Sequence, residues 1–297
     1  MSKIIVGVDL SAPSERAVAH AVDVARRLGA EVVLVVVDLV PDLAELGSEA
    51  VRAEAARDPK TLAGRLHHNR AALAALRDRW LGHGVELSQL VVDGFADERL
   101  PAVAEELGAD LIVVGSHGRT GLNRFLLGSV AERVIRRADR SVLLARGDAP
   151  DGGYRRAVIG TDFSEPAELA LARAVPLIAR GGRIELVHCW QAAVLSVFGE
   201  PLMVSPADEL QRAVGQSLRE LGARFRATAL IDRPDVELVL HAECAPPAQG
   251  LVDLAAARAA DLVVVGSHGR RGVRRFVKGS VAERTARHVA CSVLVAR

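Results

Sequence analysis

The sequence predicts two α/β domains in tandem, each a doubly wound, five-stranded parallel sheet. Three observations carry this prediction. The 297 residues suffice for two domains of ordinary size. Residues 109–146 and 260–297 align without a gap and match at 25 of 38 positions. Within each copy, short apolar runs alternate with amphipathic stretches, which is typical of a parallel sheet covered by helices on both faces.

The elements follow in the same order in both copies. The first copy predicts strands over 3–9, 31–38, 86–92, 110–115 and 141–145. The helices predicted between them cover roughly 13–28, 60–82, 97–108 and 129–138. The second copy predicts strands near 156–161, 184–190, 236–241, 261–266 and 292–296. Ligands of such sheets bind beyond the carboxyl ends of the strands, where the winding reverses, so the residues that follow each strand are the functional candidates.

The repeat sets the expected domain limits. We predict a first domain over residues 1–146, a linker over 147–153 that is rich in Gly, Pro and Asp, and a second domain over 154–297. The two copies are offset by about 150 residues, so each is a whole domain and not a unit of a solenoid.

Composition and charge argue against several classes of partner. The 38 basic and 37 acidic residues nearly cancel, so we expect neither nucleic acid nor a membrane surface as a partner. The chain begins without a signal-peptide pattern, and its apolar runs are far shorter than a membrane span. The three cysteines lie far apart, which favours a reducing, cytoplasmic location over disulfides or a zinc site.

A glycine pattern follows the fourth strand of each copy. It reads G-x2-G-x9-G-S at Gly115 and again at Gly266, and each final Ser opens a helix. Glycines let backbone amides approach a ligand, and a helix N-terminus favours phosphate. Ser129-x-x-Glu132 also has the pattern of a capping box, so a purely structural role for this serine stays open beside phosphate contact.

This pattern, with an Asp at the end of the first strand, resembles the ATP-binding branch of the universal stress protein family over nearly the whole chain, twice. The resemblance implies strand order 3-2-1-4-5 and ATP between the first and fourth strands. It places Gly7, Asp9, Gly160 and Asp162 beside the adenosine, with the backbone of Val37 and Cys189 against adenine. Around the ribose and phosphates it places Gly115, Ser116, His117, Gly118, Arg119, Gly121, Gly128, Ser129 and Val130 of the first copy, and Gly266, Ser267, His268, Gly269, Arg270, Gly272, Gly279, Ser280 and Val281 of the second.

Other interpretations of these polar residues remain. Asp9 and Asp162 each precede a Ser and a Pro, so both could serve only to start a helix. His117 and His268 could be ordinary solvated side chains, whereas Arg119 and Arg270 match phosphate geometry better. In the second copy the end of the second strand departs from the first, because Val36-Val37-Asp38 becomes His188-Cys189-Trp190.

No catalytic group is apparent in the sequence. It has no G-x-x-x-x-G-K-[ST] loop, no dinucleotide fingerprint and no nucleophile elbow. The resemblance implies a nucleotide-responsive stress regulator that binds ATP, with Mg²⁺ screening the phosphates, and the missing catalytic groups lead us to expect little or no hydrolysis. The alternative is an ATPase or ATP-dependent transferase with unidentified catalytic groups.

The family order also implies an assembly. It places the apolar fifth strands, 141–145 and 292–296, at sheet edges, and such edges invite pairing. We expect an intramolecular pseudo-dimer of the two domains, a possible homodimer, and a protein partner that the sequence leaves unidentified.

Overall fold

The central strands of both sheets are buried because their residues are almost continuously apolar. Ile4, Ile5 and Val6, for example, are fully buried. The computed structural model describes residues 2–38, 62–116, 127–191, 194–197, 200–203, 207–267 and 280–297. The chain divides into two units, Met1–Ala149 and Pro150–Arg297.

The first unit alternates strands and helices from its first residues. Its strands are β1 Lys3–Gly7, β2 Glu31–Asp38, β3 Leu87–Asp93, β4 Leu111–Gly115 and β5 Ser141–Ala145. Its helices are α1 Ala12–Leu28, α2 Leu62–Arg79, α3 Ala96–Glu106 and α4 Ser129–Arg137. Pro13 lies in the first turn of α1, and Gly29 ends that helix in the left-handed conformation, with φ of 64°.

The second unit repeats this order and adds a hairpin. Its strands are β6 Tyr154–Gly160, β7 Ile178–Trp190, β8 Val194–Val197, β9 Glu200–Met203, β10 Glu237–Cys244, β11 Leu262–Gly266 and β12 Ser292–Ala296. Its helices are α5 Glu165–Ala174, α6 Ala207–Ala227, α7 Pro247–Ala257 and α8 Ser280–His288. Strands β8 and β9 pair antiparallel as a separate two-stranded sheet, which the sequence did not predict.

The doubly wound topology is confirmed. The strand order is β3-β2-β1-β4-β5 in the first unit and β10-β7-β6-β11-β12 in the second. All of these pairings are parallel. The winding therefore reverses beside the first strand of each unit, which lies between the second and fourth strands of its sheet.

Candidate functional site

The carboxyl ends of β1 and β4 meet at the point where the winding of the first unit reverses. Gly7 at the end of β1 is in register with Val114, one residue before the end of β4. The structure thus brings Gly7, Gly115 and the residues after them to one edge of the sheet, the edge at which ligands of such folds bind. In the second unit, β6 and β11 pair in the same way.

The residues after β1 form a tight turn that both units share. Asp9 Oδ1 accepts hydrogen bonds from the Ser11 backbone N at 3.1 Å and from Ser11 Oγ at 2.5 Å. Leu10 between them has a φ of 62°, a left-handed conformation that costs a non-glycine residue about 1–2 kcal/mol. Asp162 and Ser164 make the same two bonds around Phe163, whose φ is also 62°.

These turns bear on the role of the two aspartates. Ser11 and Ser164 are the N-cap residues of α1 and α5. The carboxylates of Asp9 and Asp162 thus position the start of a helix, which agrees with the structural interpretation of these residues. Backbone strain held in place by side chains, repeated at the ligand edge of both sheets, is common at functional sites.

Helix α4 begins without a side-chain cap, so the capping-box interpretation of Ser129 is wrong. The N-cap residue is Gly128, with φ of −62° and ψ of 142°, and no side chain caps this end of the helix among the residues that the structure describes. Ser129 is instead the first residue of the helix and is exposed, as is Val130. Glu132 forms an ion pair with Arg136 at 3.0 Å, one turn further along the helix.

Two hydrogen bonds fix the start of α4 relative to β4. The Gly128 N–H donates to the Ser116 carbonyl at 2.8 Å, and the Ser116 N–H donates to the Ala145 carbonyl of β5 at 3.3 Å. The Gly128 carbonyl in turn accepts from the Glu132 N–H at 2.9 Å and closes the first helical turn. The amides of that turn therefore lie at the same edge as Gly7 and Asp9.

A buried carboxylate on α3 holds α4 in this position. Asp97 is only 6% exposed, and its Oδ2 lies 2.9 Å from Arg137 Nη1 and 3.2 Å from Arg133 Nε of α4. Sequence reasoning missed this contact. The sequence feature that could have indicated it is the pair Arg133 and Arg137, which lie four residues apart and so on one face of the short helix α4.

Part of the second site matches the first. Ser267 after β11 is buried, and its N–H donates to the Ala296 carbonyl of β12 at 3.0 Å, as Ser116 does in the first unit. Glu283 of α8 forms an ion pair with Arg287 at 2.9 Å, the equivalent of Glu132 and Arg136. Helix α8 begins at Ser280, followed by the half-buried Val281.

Much of each glycine loop lies outside the described residues. The predicted site residues in that part of the chain are His117, Gly118, Arg119, Gly121, His268, Gly269, Arg270, Gly272 and Gly279, together with the side chain of Ser280. The described Gly115, Ser116, Gly128, Gly266 and Ser267 flank these stretches.

Gly7 and Gly160 make room for a helix side chain, a role that the sequence did not reveal. A Cβ on Gly7 would lie 2.7 Å from Cδ1 of Leu100 in α3, and one on Gly160 would lie 3.2 Å from the same atom of Leu251 in α7. Both leucines are 2% exposed. The space beside each glycine is thus filled by leucine, so close packing of helix on sheet already accounts for these residues.

A matched pair of substitutions tests this packing. Gly7→Ala is expected to destabilise the chain by about 1–3 kcal/mol through overpacking, and Gly160→Ala by less, since its contact is longer. Urea unfolding of the two variants gives the comparison. Equal stability of Gly7→Ala and the unsubstituted chain would contradict the packing role.

The ends of the second strands differ between the units. In β2, Asp38 Oδ2 accepts a hydrogen bond from Asn69 Nδ2 at 2.6 Å, and the neighbouring Val37 is half-buried. In β7, Cys189 packs so closely on α7 that a Cβ on Gly250 would lie 2.6 Å from its Sγ. Burial, and then the charge of Glu243, raise the pKa of the Cys189 thiol to about 11.

This pKa predicts slow thiol chemistry. Since the thiolate is the nucleophile, about one Cys189 in a thousand is reactive at pH 8. We expect a disulfide reagent to label Cys189 at least about a hundredfold more slowly than the exposed Cys244. Mass spectrometry of peptides over time measures both labelling rates. Cys189→Ser is expected to leave the labelling rate of Cys244 unchanged. Comparable rates at the two cysteines would contradict the packing described.

Neither a membrane span nor a metal cluster is found in the described parts of the chain. None of the helices there is long and apolar enough to cross a bilayer. No group of three His, Cys, Asp or Glu side chains in the same ranges is placed to hold a metal ion.

Comparison with known proteins identifies a family match over both units. The model of the Universal stress protein family matches residues 1–146 and 153–297. Universal stress proteins of Mycobacterium bovis and Mycobacterium tuberculosis are each 35% identical over 195 residues, which are 64% of this chain and 62% of the relative. One from Mycolicibacterium smegmatis is 32% identical over 237 residues, covering 72% of this chain and 76% of that protein.

Solved structures agree on the fold. The crystal structure of a universal stress protein from Archaeoglobus fulgidus superposes with a TM-score of 0.69 over 99% of this chain and 98% of its own, at 18% identity. The crystal structure of a putative universal stress protein from Pseudomonas aeruginosa superposes with a TM-score of 0.65 over 100% of this chain and 93% of its own, at 16% identity. At these identities the likeness shows the fold alone. The chain spans less than two thirds of the M. bovis and M. tuberculosis relatives that it matches.

Proposed function

The chain belongs to the universal stress protein family, and from this premise we propose that each unit binds one ATP at the carboxyl edge of its sheet and acts as a nucleotide-responsive regulator in the cytoplasm. The observation that carries the proposal is the start of α4. An uncapped helix N-terminus follows a glycine pattern at the winding reversal, and the pattern occurs twice.

The phosphates are assigned to the start of α4. The first-turn amides have no carbonyl partner within a helix, and a helix start carries roughly half a positive charge. Ser129 is exposed there and adds a hydroxyl donor, while Gly128 lets a ligand approach closely. Arg119 of the same loop would neutralise phosphate charge. Ser280, Gly279 and Arg270 are the counterparts in the second unit.

The adenosine is assigned to the first and second strands. Asp9 is held at the edge by Ser11, so its carboxylate is preorganised to face a ribose hydroxyl. The backbone of Val37, at the end of β2, is the proposed contact for adenine. Asp162 and Cys189 take these roles in the second unit, with Cys189 contributing its backbone and not its neutral thiol.

We propose that the bound ATP is hydrolysed slowly, if at all. Phosphoryl transfer needs a positioned water and charge neutralisation on the γ-phosphate, usually with a metal held by the protein. Mg²⁺ bound to the triphosphate would supply charge screening. The chain's carboxylates nearest the helix start are engaged elsewhere: Glu132 pairs with Arg136, and Asp9 holds its turn. A site that binds the ground state as well as the transition state gives affinity without turnover.

Phosphate release separates this regulator from an ATPase. At saturating ATP and Mg²⁺, we expect fewer than about one turnover per second, below the usual range of enzymes. A Gly118→Asp/Gly269→Asp variant is the control for contaminating activity. Turnover of several per second that disappears in the control would show instead that the chain is an enzyme.

A regulatory role follows from binding alone. ATP shifts the chain toward whichever conformation binds it better, by no more than the difference between the two affinities. The protein partner would recognise that conformation.

A further inference from the structure

Three rings gather at the proposed base end of the second unit. Phe163 lies in the turn after β6, and His188 and Trp190 lie at the end of the neighbouring strand β7. The rings of Phe163 and His188 have centroids 4.5 Å apart and an angle of 34° between their planes. Phe, Trp and Tyr make up only 3% of the chain, so two of them beside His188 are not expected from composition.

The first unit has no ring at the corresponding positions. Its equivalents, set by the strand registers and the repeat, are Leu10, Val36 and Asp38. The difference between the units is therefore concentrated at the ends of the first and second strands, where the proposed function places the base.

The imidazole of His188 has a defined tautomer. Its Nδ1 lies 2.8 Å from the Thr161 carbonyl, which can only accept, so Nδ1 carries the proton. In the neutral ring Nε2 is then a hydrogen-bond acceptor. His188 and Phe163 are each half-buried, so part of each ring remains accessible at the edge.

Trp190 lies two residues further along β7 and is buried. The side chain is 8% exposed, and its Nε1 has no hydrogen-bond partner among the described residues. Residues 188 and 190 point to the same face of β7, about 7 Å apart along the strand. The indole N–H is shielded from solvent, so Trp190 serves as a fluorescent reporter close to the other two rings and not as a donor to the base.

Resting on the proposed function, we propose that the second unit recognises a purine base through Phe163 and His188, with the two rings as the stacking surface and His188 Nε2 as the hydrogen-bond acceptor. A purine carries ring-nitrogen acceptors and, in adenine, an amino donor beside them. The corresponding positions of the first unit, Leu10, Val36 and Asp38, offer no ring for stacking, so we expect the two sites to differ in how much of their affinity comes from the base.

Tryptophan fluorescence gives a direct test. The chain has two tryptophans, so Trp80→Phe leaves Trp190 as the sole emitter. In this background we expect adenosine to change Trp190 emission saturably and inorganic tripolyphosphate to leave it unchanged. Phe163→Leu/His188→Val, which installs the residues of the first unit, is expected to weaken adenosine binding about tenfold, the usual scale for one stacked base.

Controls keep a folding defect apart from a binding defect. Circular dichroism checks each variant, and Phe95→Leu removes an aromatic residue that is 60% exposed in the first unit, so it is expected to leave the response unchanged.

The outcomes separate this inference from the proposed function. Calorimetry could show ATP at both sites while adenosine leaves Trp190 emission unchanged, or while Phe163→Leu/His188→Val leaves the affinity for adenosine unchanged. In either case the inference is wrong and the proposed function stands. If calorimetry detects no ATP, the proposed function fails, and the adenosine titration still decides the inference.

Discussion

Gly128→Asp is expected to weaken ATP binding at the first unit while leaving the fold at least as stable. Gly128 is an N-cap with φ of −62° and ψ of 142°, which any residue can adopt. Asp is among the preferred N-cap residues, so helix α4 should gain a few tenths of a kcal/mol. The same carboxylate would occupy the proposed phosphate site. Repulsion between unit charges about 4 Å apart is on the order of 1–4 kcal/mol, so affinity should fall at least about fivefold.

Gly128→Asn is the matched control, since it caps equally well and has the same shape without the charge. Calorimetry with ATP and thermal unfolding of both variants give the comparison. We expect Asn to retain more affinity than Asp, with both variants as stable as the unsubstituted chain. A Gly128→Asp variant that binds ATP at the first site as before would place the phosphates elsewhere.

His241→Leu is expected to cost the second unit roughly 3 kcal/mol, because it leaves a buried charge without its hydrogen bond. Glu185 is 1% exposed, and its Oε2 accepts from His241 Nε2 at 2.6 Å. Its Oε1 lies 2.9 Å from Arg183 Nε, but the two are not aligned for a hydrogen bond. Arg183 is 37% exposed and cannot fully replace the lost partner.

The first unit supplies the compensating variant. Val33 and Leu90 occupy the positions of Glu185 and His241 in the equivalent strand registers. Glu185→Val/His241→Leu should therefore recover most of the loss and could exceed the starting stability, since apolar replacement of buried ion pairs is often neutral or favourable. Urea unfolding of the single and double variants measures both effects. A double variant as unstable as the single one would contradict a cost that arises from the unpaired carboxylate.

The sequence predicted the sheets well because their central strands are buried on both faces. A run such as 32–37 is continuously apolar for that reason, and its span and parallel pairing follow directly. The β8–β9 hairpin was missed because its strands are four residues each and β9 contains Pro201, which argues against a strand. The first strand was predicted two residues too long, since Leu10 is not a residue type that marks a left-handed turn in the sequence.

The candidate site was predictable in position but not in detail. The repeated glycine pattern located the ligand edge. The pattern Ser-x-x-Glu, however, is the same whether Ser129 is the N-cap residue or the first residue of the helix. Only the backbone angles of Gly128 distinguish the two cases. Likewise, Gly7 packs against Leu100, 93 residues away in sequence, and the pair Glu185–His241 spans 56 residues. Contacts of this kind depend on the assembled sheet and leave no local pattern.

Titration of the purified chain with ATP by calorimetry tests the central claim most directly. Two nucleotides per chain are expected for the unsubstituted protein. None is expected for a folded Gly118→Asp/Gly269→Asp variant, in which bulk and negative charge replace hydrogen where phosphate must approach. A folded chain that binds no ATP, or a double variant that binds ATP with unchanged affinity, would contradict the assignment of nucleotide to the two glycine loops.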